Sequence, residues 1–342
     1  MAKRHKIDTR PTIAQIAAAA GVSIPTVSKV LNGRMDVSPA TRERIEQVIE
    51  EYGFVRNRAA RALGQGKTGL VDLVVPRLDD DYFFPIVQGA EQALKETGVR
   101  LVLTSTHYET DAELQWIETV TDRSTDGVLL VLPSDEAIQR LAQQQSLPFV
   151  VIHNQGGLPS TIPSVTITSW DGGFAATNHL IALGHRRIAY IGKNVSSMDA
   201  IERFAGYRTA LEVASLPLDP DLQCEGQFTA DDGYAATRAL MALESPPTAI
   251  FAGNDHHAIG VYRALYELGI PVPQQVSVIG FDNLTYTELM NPALTTVHVP
   301  RVEMGRMAAS MLLKLIAGEP PDLPRLTLPT RLVERESCAP LP

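Results

Sequence analysis

Hydrophobic positions recur at two different spacings, and the change of spacing divides the chain. Over residues 12–53 the spacing is helical. Thr12 stands as an N-cap ahead of a short helix over 13–19, with Ile13, Ile16 and Ala17 on one face. Ala20-Gly21-Val22 forms a tight turn in which Gly21 takes the left-handed conformation. Ser23 caps a second helix, Pro25 fits its first turn, and Val27, Val30 and Leu31 make its inner face before Asn32-Gly33 ends it. A third helix starts at Ser38 with Pro39 in the first helical position, and Ile45, Val48, Ile49 and Tyr52 share one stripe before Gly53. Two short helices joined by a glycine turn, with a third burying their apolar faces, predict a helix-turn-helix domain; a plain three-helix bundle has the same pattern.

From residue 69 onward, apolar runs alternate with amphipathic stretches. Strands are predicted over 70–75, 100–103, 127–132, 149–152, 187–191, 249–252 and 276–280, and helices over 86–96, 174–183, 205–213, 257–268 and 304–316. Buried runs alternating with helices imply parallel sheets covered on both faces. So long a stretch implies two lobes, and the proline-bounded segment 292–300 is expected to cross back to the first lobe. Ligands in such sheets bind beyond the carboxyl ends of strands. That rule singles out His153, Asn254, Asp255 and Asp282, together with Arg203, which is placed at a loop-to-helix entry.

Charge separates the same two parts. The net charge of −9 combines +6 over residues 1–67 with −15 over the remainder, so a basic head is joined to an acidic body. Such a head is expected to meet a polyanion, and its helical order points to DNA. Nothing approaches the ~18 unbroken apolar residues of a membrane span. The basic start at Met1 leads to a short apolar run interrupted by Gln15, not to a secretory signal. Cys224 and Cys338 are too few for a disulfide framework or a four-cysteine zinc site. A cytoplasmic location without membrane contact is expected. Gly64-Gln65-Gly66-Lys67-Thr68 imitates the end of a phosphate loop, but Arg61 stands where the motif needs glycine and a strand follows instead of a helix. His256-His257 point apart on a helix, with no third ligand at metal spacing, and read as surface or cleft histidines. With no nucleophile elbow and no metal-helix motif, neither an enzyme nor a bound metal or cofactor is expected.

The residues Thr12-Ile13-Ala14-Gln15-Ile16-Ala17, Ala20-Gly21-Val22-Ser23 and Thr26-Val27-Ser28-Lys29-Val30-Leu31-Asn32-Gly33 strongly resemble the headpiece of LacI/GalR-family transcription regulators. So does Val37-Ser38-Pro39-Ala40-Thr41-Arg42-Glu43-Arg44, and the resemblance continues through the rest of the chain. It implies an all-α helix-turn-helix headpiece over 1–56, a hinge helix and linker over 57–68, and a two-lobed α/β core of the type I periplasmic-binding-protein kind over 69–342. It also implies a homodimer, or a higher oligomer, on a palindromic operator in double-stranded DNA. By residues alone, 57–63 is a basic linker with Asn57 as an N-cap. The resemblance makes it a hinge that forms in the minor groove, with Leu63 as an apolar wedge. Ile24, Pro25 and Lys29 then enter the major groove, Thr26, Ser28 and Asn32 reach phosphates or base edges, and Thr12, Ser23, Ser38 and Thr41 stand at helix starts for backbone contacts.

In the core the resemblance makes Arg203 and Asp282 the principal effector contacts, with Tyr82, Phe83, Phe228 and Asn254 behind them. Carboxylates, amides and an arginine fork suit sugar hydroxyls, and aromatic rings suit apolar sugar faces. For Phe83 and Phe228 core packing competes with that role, and Trp170 reads as a helix-packing residue. Two positions depart from the family. His153 stands where many relatives have aspartate, with Asn154 as an alternative inward residue, and Lys29 stands where many have arginine, whose fork lysine lacks. The expected function is an effector-controlled transcription regulator, a repressor responding to a sugar. The alternatives are a regulator responding to a purine or other non-sugar, and a sugar-binding protein without a regulatory role.

Overall fold

The structure, a computed structural model, describes residues 11–31, 33–54, 67–120, 125–144, 147–153, 157–193 and 197–341. Asn32, Asn57, Leu63 and Asn154 lie outside them. The chain divides into two compact units, Met1–Thr68 and Gly69–Pro342.

The first unit holds α1 (Ile13–Ala19), α2 (Ile24–Leu31) and α3 (Pro39–Glu51). Thr12 forms a complete capping box with Gln15, which fixes where α1 starts. Gly21, at φ 62°, turns the chain so that α1 and α2 meet at 105°, within the helix-turn-helix range. Ile16, Ala17, Ala20, Val27, Val30 and Ile45 are buried together, so each helix contributes an apolar stripe that none could bury alone.

The second unit contains two parallel sheets. The larger comprises β1 (Leu70–Val75), β2 (Arg100–Ser105), β3 (Gly127–Val131), β4 (Phe149–Ile152), β5 (Ser164–Ile167) and β11 (Arg325–Leu328), in the order β11-β5-β4-β3-β1-β2. The smaller has β6 (Ile188–Lys193), β7 (Gln223–Glu225), β8 (Ala249–Ala252) and β9 (Ser277–Ile279), in the order β7-β6-β8-β9. β10 (Thr296–His298) pairs antiparallel with β12 (Arg331–Val333) beside the smaller sheet. Helices α4 (Phe84–Leu94), α5 (Thr110–Val120) and α6 (Asp135–Gln143) follow the first three strands of the larger sheet. Around the smaller sheet lie α7 (Ser169–Ala182), α8 (Met198–Val213), α9 (Ala230–Met241) and α10 (Asp255–Glu267). α11 (Arg301–Ala317) returns to the first lobe and packs on α4.

The chain therefore passes between lobes near Thr168, Pro300 and Thr330. Two of these passages are tied together: Thr330 N donates to Thr168 Oγ1 and Thr330 Oγ1 to Thr168 O, both at 3.0 Å. Glycines set how closely the helix pairs approach. A Cβ on Gly89 of α4 would fall 1.8 Å from Val302 O, and one on Gly305 of α11 would fall 1.9 Å from Ile86 O. Gly173 and Gly206 bring α7 against α8 in the same way, which seats the helix that carries Arg203. Gly89→Ala is expected to cost about 2–3 kcal/mol through backbone overpacking, a fall of roughly 5–10 °C in melting temperature. Calorimetry of the purified variant checks this.

Several sequence boundaries move. The first helix of the smaller lobe's core, expected over 174–183, already begins at Ser169, and the next begins at Met198 instead of 205. Arg203 consequently lies inside α8, in its second turn, and not at a loop-to-helix entry.

Candidate functional site

In the headpiece, Thr12, Ser23 and Ser38 occupy helix starts. Ser23 Oγ accepts from Thr26 N at 3.4 Å, and Ser38 Oγ accepts from Thr41 N at 3.3 Å. Their hydroxyls also meet those of Thr26 and Thr41, at 2.9 and 2.8 Å. Ile24, Pro25 and Lys29 are exposed along α2, whereas Val27 and Val30 face inward. An aliphatic side chain 47% exposed at Ile24, at the start of a short helix, has a surface ready for an apolar contact. Lys29 Nζ is 2.7 Å from Asp36 Oδ2, and both side chains are half-exposed. Exposed pairs of this kind contribute little, so the lysine exchanges Asp36 for another acceptor at small cost.

In the core, the carboxyl ends of strands from both sheets converge on a cavity of about 510 Å³. Tyr82, Phe83 and His153 line it from the first lobe, and Arg203, Phe228, Asn254 and Asp282 from the second. Backbone conformation marks the same place. Among the described residues, eight other than glycine have positive φ, and five of these line the cavity: Tyr108 (60°), Leu132 (50°), His153 (55°), Phe228 (101°) and Asp282 (112°). Left-handed backbone at such residues costs energy and clusters at functional sites. Here each lies within three residues of a strand's carboxyl end and lines the cavity.

Two polar groups face each other across the cavity. In one, Arg203 Nη1 donates to Gly253 O, Nη2 lies 3.9 Å from Asp282 Oδ1, and the guanidinium sits 3.6 Å over the Phe281 ring. Arg203 Nε has no hydrogen-bond partner although the side chain is 5% exposed. Burial pushes the Asp282 carboxyl up to about 6, with Arg203 and Arg301 limiting the rise. The other group joins the lobes directly. Tyr82 Oη is 2.8 Å from His153 Nε2, and His153 Nδ1 is 2.7 Å from Asp199 Oδ2 on α8. Asp199 Oδ1 accepts from Ser169 Oγ at 2.7 Å. Burial raises the Asp199 carboxyl, but His153, Ser169 and Arg203 outweigh it and hold the group below its ordinary range.

Asn254 is committed to the backbone: Oδ1 accepts from His257 N at 2.8 Å, capping α10, and Nδ2 donates to Phe228 O at 3.2 Å. It positions Phe228. Phe83 is 3% exposed and belongs to the core as much as to the cavity wall. Of the two adjacent histidines, His256 lines the cavity, but His257 is wholly buried, not a surface or cleft residue. Its Nε2 accepts from Phe228 N at 3.3 Å, and burial lowers its pKa to about 4. The fold also brings Asp80 and Asp81 to His256, with ligand atoms within 4.8 Å of one another, a proximity that sequence spacing does not reveal. Trp170 stacks on Phe174 and faces a separate cavity of about 290 Å³.

The cavity residues that sequence reasoning did not name include Tyr108, Leu132 and Asp199, whereas His256 takes the cleft position expected of it. Leu132 was within reach, since it ends a predicted strand, whereas Tyr108 lies in the turn after β2, beyond the strand predicted over 100–103. Asp199 was not within reach, because its place depends on which helix of the second lobe meets His153.

A helix-turn-helix unit followed by two parallel-sheet lobes around a polar cleft defines a ligand-controlled transcription regulator. The family profile "Bacterial regulatory proteins, lacI family" matches residues 12–57, and "Periplasmic binding protein-like domain" matches 177–338. The HTH-type transcriptional regulator CelR of Thermobifida fusca is 38% identical over 339 residues, covering 96% of this chain and 98% of CelR. The HTH-type transcriptional repressor PurR of Vibrio atlanticus (strain LGP32) is 30% identical over 328 residues, covering 95% and 98%. Among solved structures, the CelR–cellobiose complex is 36% identical with a TM-score of 0.72, covering 96% of this chain and all of that one. The lac repressor dimer bound to operator and the anti-inducer ONPF is 26% identical with a TM-score of 0.87, covering 97% and 100%. The chain belongs to the lacI family of bacterial regulatory proteins. Among the described residues, no single helix is long and apolar enough to cross a membrane.

Proposed function

We propose that this protein is a cytoplasmic, homodimeric repressor without catalytic activity, whose grip on a palindromic operator is set by a saccharide bound between the lobes of its core. We assign 1–56 to the DNA-binding headpiece, 57–68 to the hinge and 69–342 to effector binding and dimerisation. One observation carries the reading: polar groups of both lobes, Arg203 with Asp282 and Tyr82 with His153, face one cavity from opposite sides. A ligand touching both favours the lobe arrangement in which both are in reach, by no more than its difference in affinity between arrangements. Donor and acceptor groups interleaved with aromatic rings suit a polyhydroxylated ring. CelR, known in complex with cellobiose, supports a sugar; the second reading is a purine.

A thermal-shift screen of saccharides against nucleobases separates these readings. A ligand at a hundred times its Kd stabilises the folded state by about 2.7 kcal/mol. A saccharide hit supports the proposal; a nucleobase hit with no saccharide hit replaces it with the purine reading.

At the other end of the chain, Lys29→Ala is expected to lower discrimination among operator variants by about 1–3 kcal/mol. Anisotropy titrations with operator variants and random DNA measure this. Equal losses on all sequences would reduce Lys29 to a phosphate contact.

A further inference from the structure

The cavity has a buried end and an open one. His153, Arg203 and Asp282 are 2%, 5% and 5% exposed, whereas Tyr108 is 52% exposed on the same cavity. Arg77, Asp80 and His256 share the open end, all of them exposed or half-exposed. Arg77 is already engaged by Asp79 through a two-pronged contact at 2.8 and 2.6 Å.

Tyr108 is held where it stands by a tight turn between β2 and α5. His107 N donates to Pro76 O at 2.7 Å and Glu109 N to Thr106 O at 2.9 Å. The turn needs two consecutive left-handed residues, with φ 55° at His107 and 60° at Tyr108, where glycine or asparagine would sit with less strain. A large aromatic residue in that conformation, half in solvent and facing a binding cavity, gains nothing from core burial. The strain is accounted for by what the ring covers when the cavity is filled.

We propose that Tyr108 forms a second sugar subsite at the mouth of the cleft, so that the effector is a disaccharide or the end of a longer oligosaccharide, not a monosaccharide. This rests on the saccharide reading above. One ring lies among Arg203, Asp282 and His153, and the next lies with its apolar C–H face against the Tyr108 ring. The cavity, about 510 Å³, lies within the roughly 300–1,000 Å³ range of small-molecule sites and runs from the buried polar groups out to Tyr108. The open end is rimmed by polar side chains with room to meet outward hydroxyls, and the aromatic ring supplies the apolar surface that a pyranose face needs.

The test is isothermal titration of the full-length protein with matched pairs: glucose with cellobiose and maltose, xylose with xylobiose, and mannose with mannobiose, with adenine and guanine alongside. In one series the disaccharide should bind at least about tenfold more tightly than its monosaccharide, the effect of removing roughly 55 Å² more apolar surface from water. Tyr108→Gly, which the left-handed backbone accepts, should remove most of that advantage by weakening the disaccharide far more than the monosaccharide. Tyr108→Phe keeps the ring and should stay within about threefold of wild type. Melting curves confirm that both variants are folded. If Tyr108→Gly leaves the ratio of the two affinities unchanged, the subsite is refuted while the saccharide reading stands. If only nucleobases bind the wild type, both fall.

Discussion

Arg203→Ala is expected to abolish the response of operator binding to effector. The side chain is nearly inaccessible and makes three contacts at once, with Gly253 O, Asp282 and the face of Phe281. Its Nε is a buried donor without a partner, beside a carboxylate whose own pKa is raised by burial. Alanine removes the fork that would meet the ligand and leaves Asp282 without its nearest cation, with only the weaker effects of Arg301 and His256 offsetting its charge. Breaking a buried pair in this way costs about 3–5 kcal/mol, so a lower melting temperature accompanies the loss of response. Arg203→Lys separates the two effects. It retains a cation near Asp282 but neither the two-pronged geometry nor the stacking on Phe281. It should melt close to wild type and still bind effector at least about tenfold more weakly, the equivalent of 1.4 kcal/mol. Titration of labelled operator with and without effector reads the response. A wild-type effector midpoint in either variant would place the site elsewhere.

Asp255→Ala should destabilise the fold by about 4 kcal/mol. Asp255 is wholly buried at the start of α10, where Oδ1 accepts from Thr296 Oγ1 at 2.7 Å and Oδ2 from Leu284 N at 2.8 Å. It thereby fastens β10 and the turn after Asp282 to the helix behind them. Removal strands two buried donors at about 1–3 kcal/mol each. Asp255→Asn keeps the shape and gives a pH signature. Burial, followed by the Asp282 charge, raises the Asp255 carboxyl to about 8 from its ordinary 3.8. The folded state thus holds a proton that the unfolded chain has released, and stability falls as pH rises through that interval. His257, lowered to about 4 from 6.5, works in the opposite direction: its contribution is complete above 6.5 and is lost below. Between pH 6.5 and 8 the Asp255 slope therefore remains, on the order of 2 kcal/mol across that interval in wild type at 1.36 kcal/mol per pKa unit. Denaturant unfolding at several pH values should show that slope in wild type and a flatter profile in Asp255→Asn.

The parts of the fold legible in the sequence were those with strong apolar periodicity. The strands at Leu70–Val75, Phe149–Ile152 and Ala249–Ala252 are fully or almost fully buried and read at their true bounds. Those at Gln223–Glu225, Arg325–Leu328 and Arg331–Val333 were not read, being short and half-exposed, so their side chains carry little hydrophobic signal. Arg203 was read in the right neighbourhood but on the wrong element, because α8 begins with Met198 and Asp199 before its apolar face develops. The cleft was legible as a rule about strand ends, which is why His153 and Asp282 were named. The pairing of His153 with Asp199 and of His256 with Asp81 was not legible. Those contacts join residues of different lobes, and no local pattern says which loop meets which.

Whether the cleft controls the headpiece is read by a pair of binding isotherms for full-length protein on a labelled palindromic operator, one without effector and one at saturation. An allosteric coupling of about 1–3 kcal/mol moves the midpoint 5–150-fold. Wild type should show a shift of that size and Arg203→Ala none. Coincident midpoints for wild type, with effector occupancy confirmed by calorimetry under the same conditions, would contradict control by the cleft.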